Sequence, residues 1–149
     1  MKKLLPIIFL FALSVWVFAQ TDLPIIGKIA DIKTFNKVYL SAPSTQDRNF
    51  MIKMLKKEKS KLEIVDDPKD AEFFLEYREV ARQEKSGLLN IGRDYTETGE
   101  MSAYFYNADK KKVIAWSKTK VYYESSGMPT SSPNSYDLTG KFLDAWKKK

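Results

Sequence analysis

Glu76, Glu79, Glu97, Glu100 and Asp109 are the side chains in this sequence best suited to chemistry, because two carboxylates flanking a glycosidic bond can serve as acid and base, or acid and nucleophile. The chain has no histidine and no cysteine, so the groups that most often exchange protons or attack near neutral pH are missing, and with them most hydrolase mechanisms. Serine–lysine chemistry lacks a Ser-x-x-Lys on a strand-to-helix elbow. Ser14 lies in an apolar leader, and the adjacent Ser117 and Lys118 project to opposite sides of a strand. A carboxylate-based glycan hydrolase and a small-ligand carrier stand as alternatives to the non-catalytic protein that these residue types favour.

The run Asp66-Asp67-Pro68-Lys69-Asp70 gathers hard oxygen donors, but Lys69 and the missing glycine and glutamate positions depart from a calcium loop. A turn capped by Asp66 or Asp67, with Pro68 setting its dihedral, accounts for the same residues. Without histidine or cysteine, zinc and copper sites are not expected, and no cofactor is implied.

The aromatic strands offer a binding surface instead. From Gly99 to Asn107, Met101, Ala103 and Phe105 alternate with Ser102, Tyr104 and Tyr106. From Lys112 to Glu124, Val113, Ala115, Ser117 and Val121 alternate with Ile114, Trp116, Lys118, Lys120 and Tyr122. The small apolar side suits helix packing. Tyr104, Tyr106, Trp116, Lys118, Lys120 and Tyr122 are therefore expected on one exposed face, an aromatic and cationic platform able to stack a sugar ring or a peptide. A reversed face assignment, or aromatics that merely pack across strands, fits the same pattern.

Several elements must position these residues. Lys37 to Ser41 reads as a strand, closed by Ala42-Pro43-Ser44. Ser44-Thr45-Gln46-Asp47 resembles a capping box and opens a helix with Phe50, Met51, Met54 and Leu55 on one face. Leu62 to Asp66 is a second strand, so the three form a right-handed βαβ unit with parallel strands. Asp66 to Ala71 turns the chain into a long strand from Glu72 to Gln83, and Gly87 and Gly92 mark Glu84 to Glu97 as a loop. Ala108-Asp109-Lys110-Lys111 joins the two aromatic strands into a hairpin. Ser125 to Asn134 is a flexible loop by composition, and Ser135 caps a last helix with Leu138, Phe142, Ala145 and Trp146 on one face. The order β-α-β-β-β-β-α predicts an α/β (α+β) fold: a mixed sheet of about five strands with both helices on one face and the other face open.

Ahead of this domain, Met1-Lys2-Lys3, an apolar run from Leu4 to Val17, and Val17-Phe18-Ala19 before Gln20 have the layout of a secretory signal peptide, residues 1–19, cleaved after Ala19. The run is short for a spanning helix and holds Pro6, so attachment to a membrane is expected only through an uncleaved leader. No cysteine follows the cut to carry a lipid. Cleavage leaves a lead-in over residues 20–36, too irregular for a strand or helix assignment, and a single domain over 37–149. About 130 residues suffice for a core that buries roughly two thirds of the unfolded surface without a disulfide or metal. A cysteine-free extracytoplasmic protein suits the bacterial envelope, periplasmic or secreted. The net charge is +6, of which two units leave with Lys2 and Lys3. Lysines alternate with acids in a solvated surface rather than a dense basic stripe, which excludes a nucleic-acid binder and leaves room for weak attraction to anionic lipid heads or acidic glycans.

Across Lys37 to Lys149, the Val38-Tyr39-Leu40 strand, the run Leu62-Glu63-Ile64-Val65-Asp66-Asp67-Pro68-Lys69-Asp70-Ala71-Glu72-Phe73-Phe74-Leu75 and the later Val113-Ile114-Ala115-Trp116-Ser117 carry a resemblance to a known group. The chain resembles small envelope α/β domains related to the amino-terminal domain of the Tol-system propeller protein and to curli-secretion and penicillin-binding-protein-activator lipoproteins. Glu72 stands where an aspartate is commoner. The resemblance implies a non-catalytic module that binds other envelope proteins by a sheet face or edge, and it transfers no catalytic residue. The partner expected is an envelope protein or a second copy of the chain.

Overall fold

Val38 and Leu40 point to one side of β2 (Lys37–Ser41) and Tyr39 to the other, so the strand presents a short apolar stripe. Proline at 43 breaks the ladder, and the Ser44 hydroxyl accepts from the Asp47 amide at 3.1 Å, opening α1 (Thr45–Lys57), which buries Met51, Met54 and Leu55 along one side. The computed structural model describes residues 23–86, 93–125, 128–129 and 132–148. The leader assigned to residues 1–19 and much of the Ser125–Asn134 loop lie outside them.

β3 (Glu63–Val65) pairs parallel with one side of β2, Val38 opposite Ile64, and β4 (Phe73–Ser86) pairs parallel with the other, Leu40 opposite Leu75. β5 (Arg93–Tyr106) and β6 (Lys112–Ser125) continue the sheet antiparallel. The chain closes with α2 (Asn134–Lys147). These five strands and two helices follow the expected order. Two further strands of two residues each, β1 (Ile25–Ile26) and β7 (Met128–Pro129), both pair with β6, giving a mixed sheet in the order β1-β6-β5-β4-β2-β3 with β7 off that path.

Both helices pack on one face. Phe73, Leu75 and Tyr77 of β4 and Met101 and Ala103 of β5 meet Met51 and Leu55 of α1 and Leu138, Phe142 and Leu143 of α2, all almost fully buried. Trp146 stacks on Phe73 with ring centroids 5.4 Å apart. Burial of each such side chain contributes about 1.5–3 kcal/mol, which fixes the helices to the sheet without a crosslink. The two helices run side by side in the same direction: the Ser135 hydroxyl donates to Asp47 at 2.9 Å between their first turns, and Lys147 donates to Glu58 at 2.8 Å between their last.

Several expectations need correction. Glu84 to Glu97 is not a loop throughout, because β4 and β5 stay paired out to Ser86 opposite Arg93. The ladder is held by backbone hydrogen bonds, so it persists without the apolar alternation that would reveal it in the sequence. The lead-in contributes β1 and a 3₁₀ turn at Ile29–Ile32, with Ile32 wholly buried in the core. Elements of two to four residues are too short to show a period. Ser135 does not cap α2: Pro133 holds the cap position with no side-chain hydrogen bond, and the Ser135 hydroxyl is drawn to Asp47 instead.

Candidate functional site

The hairpin of β5 and β6 carries the residues expected to form one platform, and a β-bulge divides them. Ala103 lies opposite Trp116, but Tyr104 lies opposite Ile114, leaving Ala115 as an extra residue on β6. One inserted residue reverses the inward and outward sense of everything beyond it. Ala115 and Trp116 consequently both turn toward the helices, Ala115 into the core cluster and Trp116 against Phe142 of α2, ring centroids 5.5 Å apart. Lys120 follows the same parity and bonds Asp137 of α2. Tyr122 lines a cleft beside the helix starts and meets the Tyr95 ring edge-on at 6.0 Å. Lys118, exposed, stands opposite Met101. Tyr104 and Tyr106 alone of the six face away from the helices.

On that outer face, Tyr104 belongs to an aromatic ladder that runs across three strands. Phe74 stacks on Tyr104 with centroids 5.1 Å apart and planes 7° from parallel. Tyr39 meets Phe74 edge-on at 5.9 Å, and Tyr106 meets it edge-on at 5.7 Å. The Lys112 ammonium lies 3.6 Å from the Tyr104 ring centre and 3.6 Å from the Glu76 carboxylate. Packing leaves Tyr104 only 9% exposed, and that burial, with the Glu76 charge beside it, pushes its hydroxyl up to about 12. Arg78 and Ser117 both bond Glu100, a paired polar group in the middle of this surface. At the turn end of this face Tyr106 (53% exposed) is open to solvent, and toward the arm Val121 (59%) and Tyr123 (44%) are. No described element covers this face.

Tyr39 and Phe74 were legible as partners of Tyr104, since each takes the outward parity of its own strand. Val121 and Tyr123 were not, because the bulge sets their side.

A second feature lies on the helix side, a cleft of about 330 Å³ where Asp47, Glu79, Arg82, Glu97, Tyr122 and Asn134 converge. Glu97 accepts from the Tyr95 hydroxyl at 2.6 Å, from the Tyr77 hydroxyl, and from the Asn134 amide at 3.3 Å. Burial and this carboxylate raise both tyrosines well above their ordinary range. Of the five carboxylates named from the sequence, Glu79 and Glu97 share this cleft, Glu76 and Glu100 occupy the outer face, and Asp109 sits in the β5–β6 turn. Asp67 caps the turn before β4 by accepting from the Lys69 amide at 2.8 Å, with Pro68 in its first position. Glu72 accepts from the Asn36 and Lys37 amides at 2.5 and 2.8 Å, tying the start of β2 to β4, and those two bonds lower its carboxyl below the usual range.

No protein-family model and no curated protein matches this chain. Among solved structures it is similar to the uncharacterized lipoprotein B of Nitrosomonas europaea, at 12% identity over 73% of this chain and 80% of that one, TM-score 0.42. It is also similar to a minor lipoprotein of Acinetobacter baumannii, at 17% identity over 75% and 82%, TM-score 0.36, and to the lipoprotein GNA1162 of Neisseria meningitidis, at 10% over 73% and 93%, TM-score 0.39.

Proposed function

We propose that this protein is a non-catalytic binding or assembly module of the bacterial cell envelope, periplasmic or secreted, and that it contacts a protein partner through the outer face of its sheet. One observation carries the reading: both helices pack on a single face, leaving the aromatic ladder and the exposed Tyr106, Val121 and Tyr123 opposite without a covering element among the described residues. A face that mixes apolar side chains with paired charges has the composition of a transient protein interface rather than of idle surface. The leader motif and the absence of cysteine support the compartment.

A photoreactive residue at position 106 or 121, introduced in living cells, should crosslink one defined envelope protein or a second copy of the chain, whereas the same probe at Lys53 on the solvent side of α1 should not. Tyr106→Asp with Val121→Asp should abolish that adduct while the protein stays folded. Equal crosslinking from all three positions, or capture indifferent to the double substitution, would remove the reading. The sharing of one cleft by Glu79 and Glu97 favours a second reading, a carboxylate-based glycan hydrolase. It requires reducing-sugar release from peptidoglycan or another envelope polysaccharide that Glu97→Gln eliminates.

A further inference from the structure

Both helices finish at one end of the molecule, and the β5–β6 turn and the start of the described chain lie at the same end. Lys147 ties the last turn of α2 to Glu58 at the end of α1, and Lys33 bonds the Lys148 carbonyl. Phe73, the first residue of β4, stacks on Trp146. Phe74 stands opposite Tyr104, so the 107–111 turn falls at this end as well. β1 runs parallel to the start of β6 with Ile25 beside Val113, which sets Leu23 level with Lys111.

Lysines crowd this end. Lys56, Lys57, Lys59, Lys61, Lys147 and Lys148 are all exposed around the helix termini, and Lys110 and Lys111 are exposed in the adjoining turn. A helix dipole accounts for cations within the last turn only, so Lys59, Lys61, Lys110 and Lys111 lie outside its reach. The acids there, Glu58, Glu63, Asp70, Glu72, Asp109 and Asp144, are fewer than these eight lysines, and Glu58 and Glu72 are already bonded. Lys59, Lys61, Trp146 and Lys147 also frame a pocket of about 350 Å³. Beside the basic turn, Leu23 is 86% exposed and Ile26 78%, the most exposed large apolar side chains among the described residues.

We propose that this end of the molecule docks on an anionic phospholipid surface, the lysines on headgroup phosphates and Leu23 and Ile26 in the interfacial layer. Clustered lysines and protruding aliphatic side chains together supply the two signals that stable but reversible attachment to a bilayer needs, where either alone is marginal. The sheet's outer face lies to the side of this surface and stays free to meet a partner.

The test uses the chain as recovered from the envelope of an expressing host, titrated with vesicles of phosphatidylglycerol mixed with phosphatidylcholine and followed by tryptophan emission and co-sedimentation. Binding should require phosphatidylglycerol and disappear at high salt. Lys56→Gln, Lys59→Gln and Lys61→Gln should each lower partition about fivefold, and the triple variant about a hundredfold. Arg78→Gln with Lys118→Gln removes charge elsewhere and should change it less than about twofold. Equal binding to phosphatidylcholine alone, no binding to either vesicle, or an equal loss in the Arg78/Lys118 control would overturn the proposal.

Discussion

The Ser135 hydroxyl in the first turn of α2 donates to the Asp47 carboxylate in the first turn of α1 at 2.9 Å, joining residues 88 positions apart. The other Asp47 oxygen accepts from the Ser44 hydroxyl at 2.5 Å, so one carboxylate holds the capping serine of its own helix and aligns the second helix. Ser135 is fully buried. Ser135→Ala leaves a half-buried carboxylate oxygen short of a donor, and urea denaturation should show a loss of about 1–3 kcal/mol. Thr45→Ala, one residue into α1 and exposed, should cost less than about 0.5 kcal/mol.

Gly99 is needed for the close approach of Tyr77. A methyl group there would lie 2.6 Å from Tyr77 Cε2 and 3.0 Å from Asn134 Cβ, inside contact distance of two buried residues. Gly99→Ala should destabilise by about 1–3 kcal/mol through overpacking, despite the better strand propensity of alanine. A midpoint equal to or above that of the parent would show that Tyr77 has room to withdraw.

Three tyrosines make the fold sensitive to alkali. Burial raises Tyr77, Tyr95 and Tyr104 above their ordinary value of 10.0, Tyr104 to about 12. The folded state therefore holds these protons after the unfolded chain has begun to lose them. The stabilisation is complete below about pH 10 and falls away as pH rises through the folded values. Denaturation midpoints should be flat between about pH 8 and 9.5 and decline above that. Tyr104→Phe keeps the ring stack on Phe74 and should make the decline shallower; an unchanged slope would mean that Tyr104 ionises as freely as in the unfolded chain.

Trp116 and Tyr106 should respond oppositely to truncation. Trp116→Ala removes a ring packed on Phe142 and should cost about 3–5 kcal/mol. Tyr106 is half exposed, so Tyr106→Ala should cost about 1 kcal/mol or less while altering partner capture. Thermal melts of the two variants decide this directly, and similar losses in both would mean that the bulge does not divide the hairpin as described.

The elements themselves were legible. The 3.6-residue spacing of Met51, Met54 and Leu55 and of Leu138, Phe142 and Trp146, and the alternation in Val38-Tyr39-Leu40 and Phe73-Phe74-Leu75, are written in contiguous residues, and so is the turn at Asp67-Pro68. The open outer face followed from having two apolar helix stripes and one sheet. The pairing of β4 and β5 out to Ser86 and Arg93 was hidden because Gly87, Gly92 and the mixed polarity of 84–97 show no apolar alternation, and the grouping of Trp116, Lys118, Lys120 and Tyr122 with Tyr104 and Tyr106 assumed an unbroken period of two.

Sequence alone determined which segments become strands and helices and which stripes must be buried, since those depend on neighbours along the chain. Only the tertiary structure decided where β6 takes its extra residue, because that depends on fitting Trp116 against Phe142 while Ile114 pairs with Tyr104. A one-residue choice made between strands and a distant helix leaves no local trace, yet it selects which aromatics meet the core and which meet solvent.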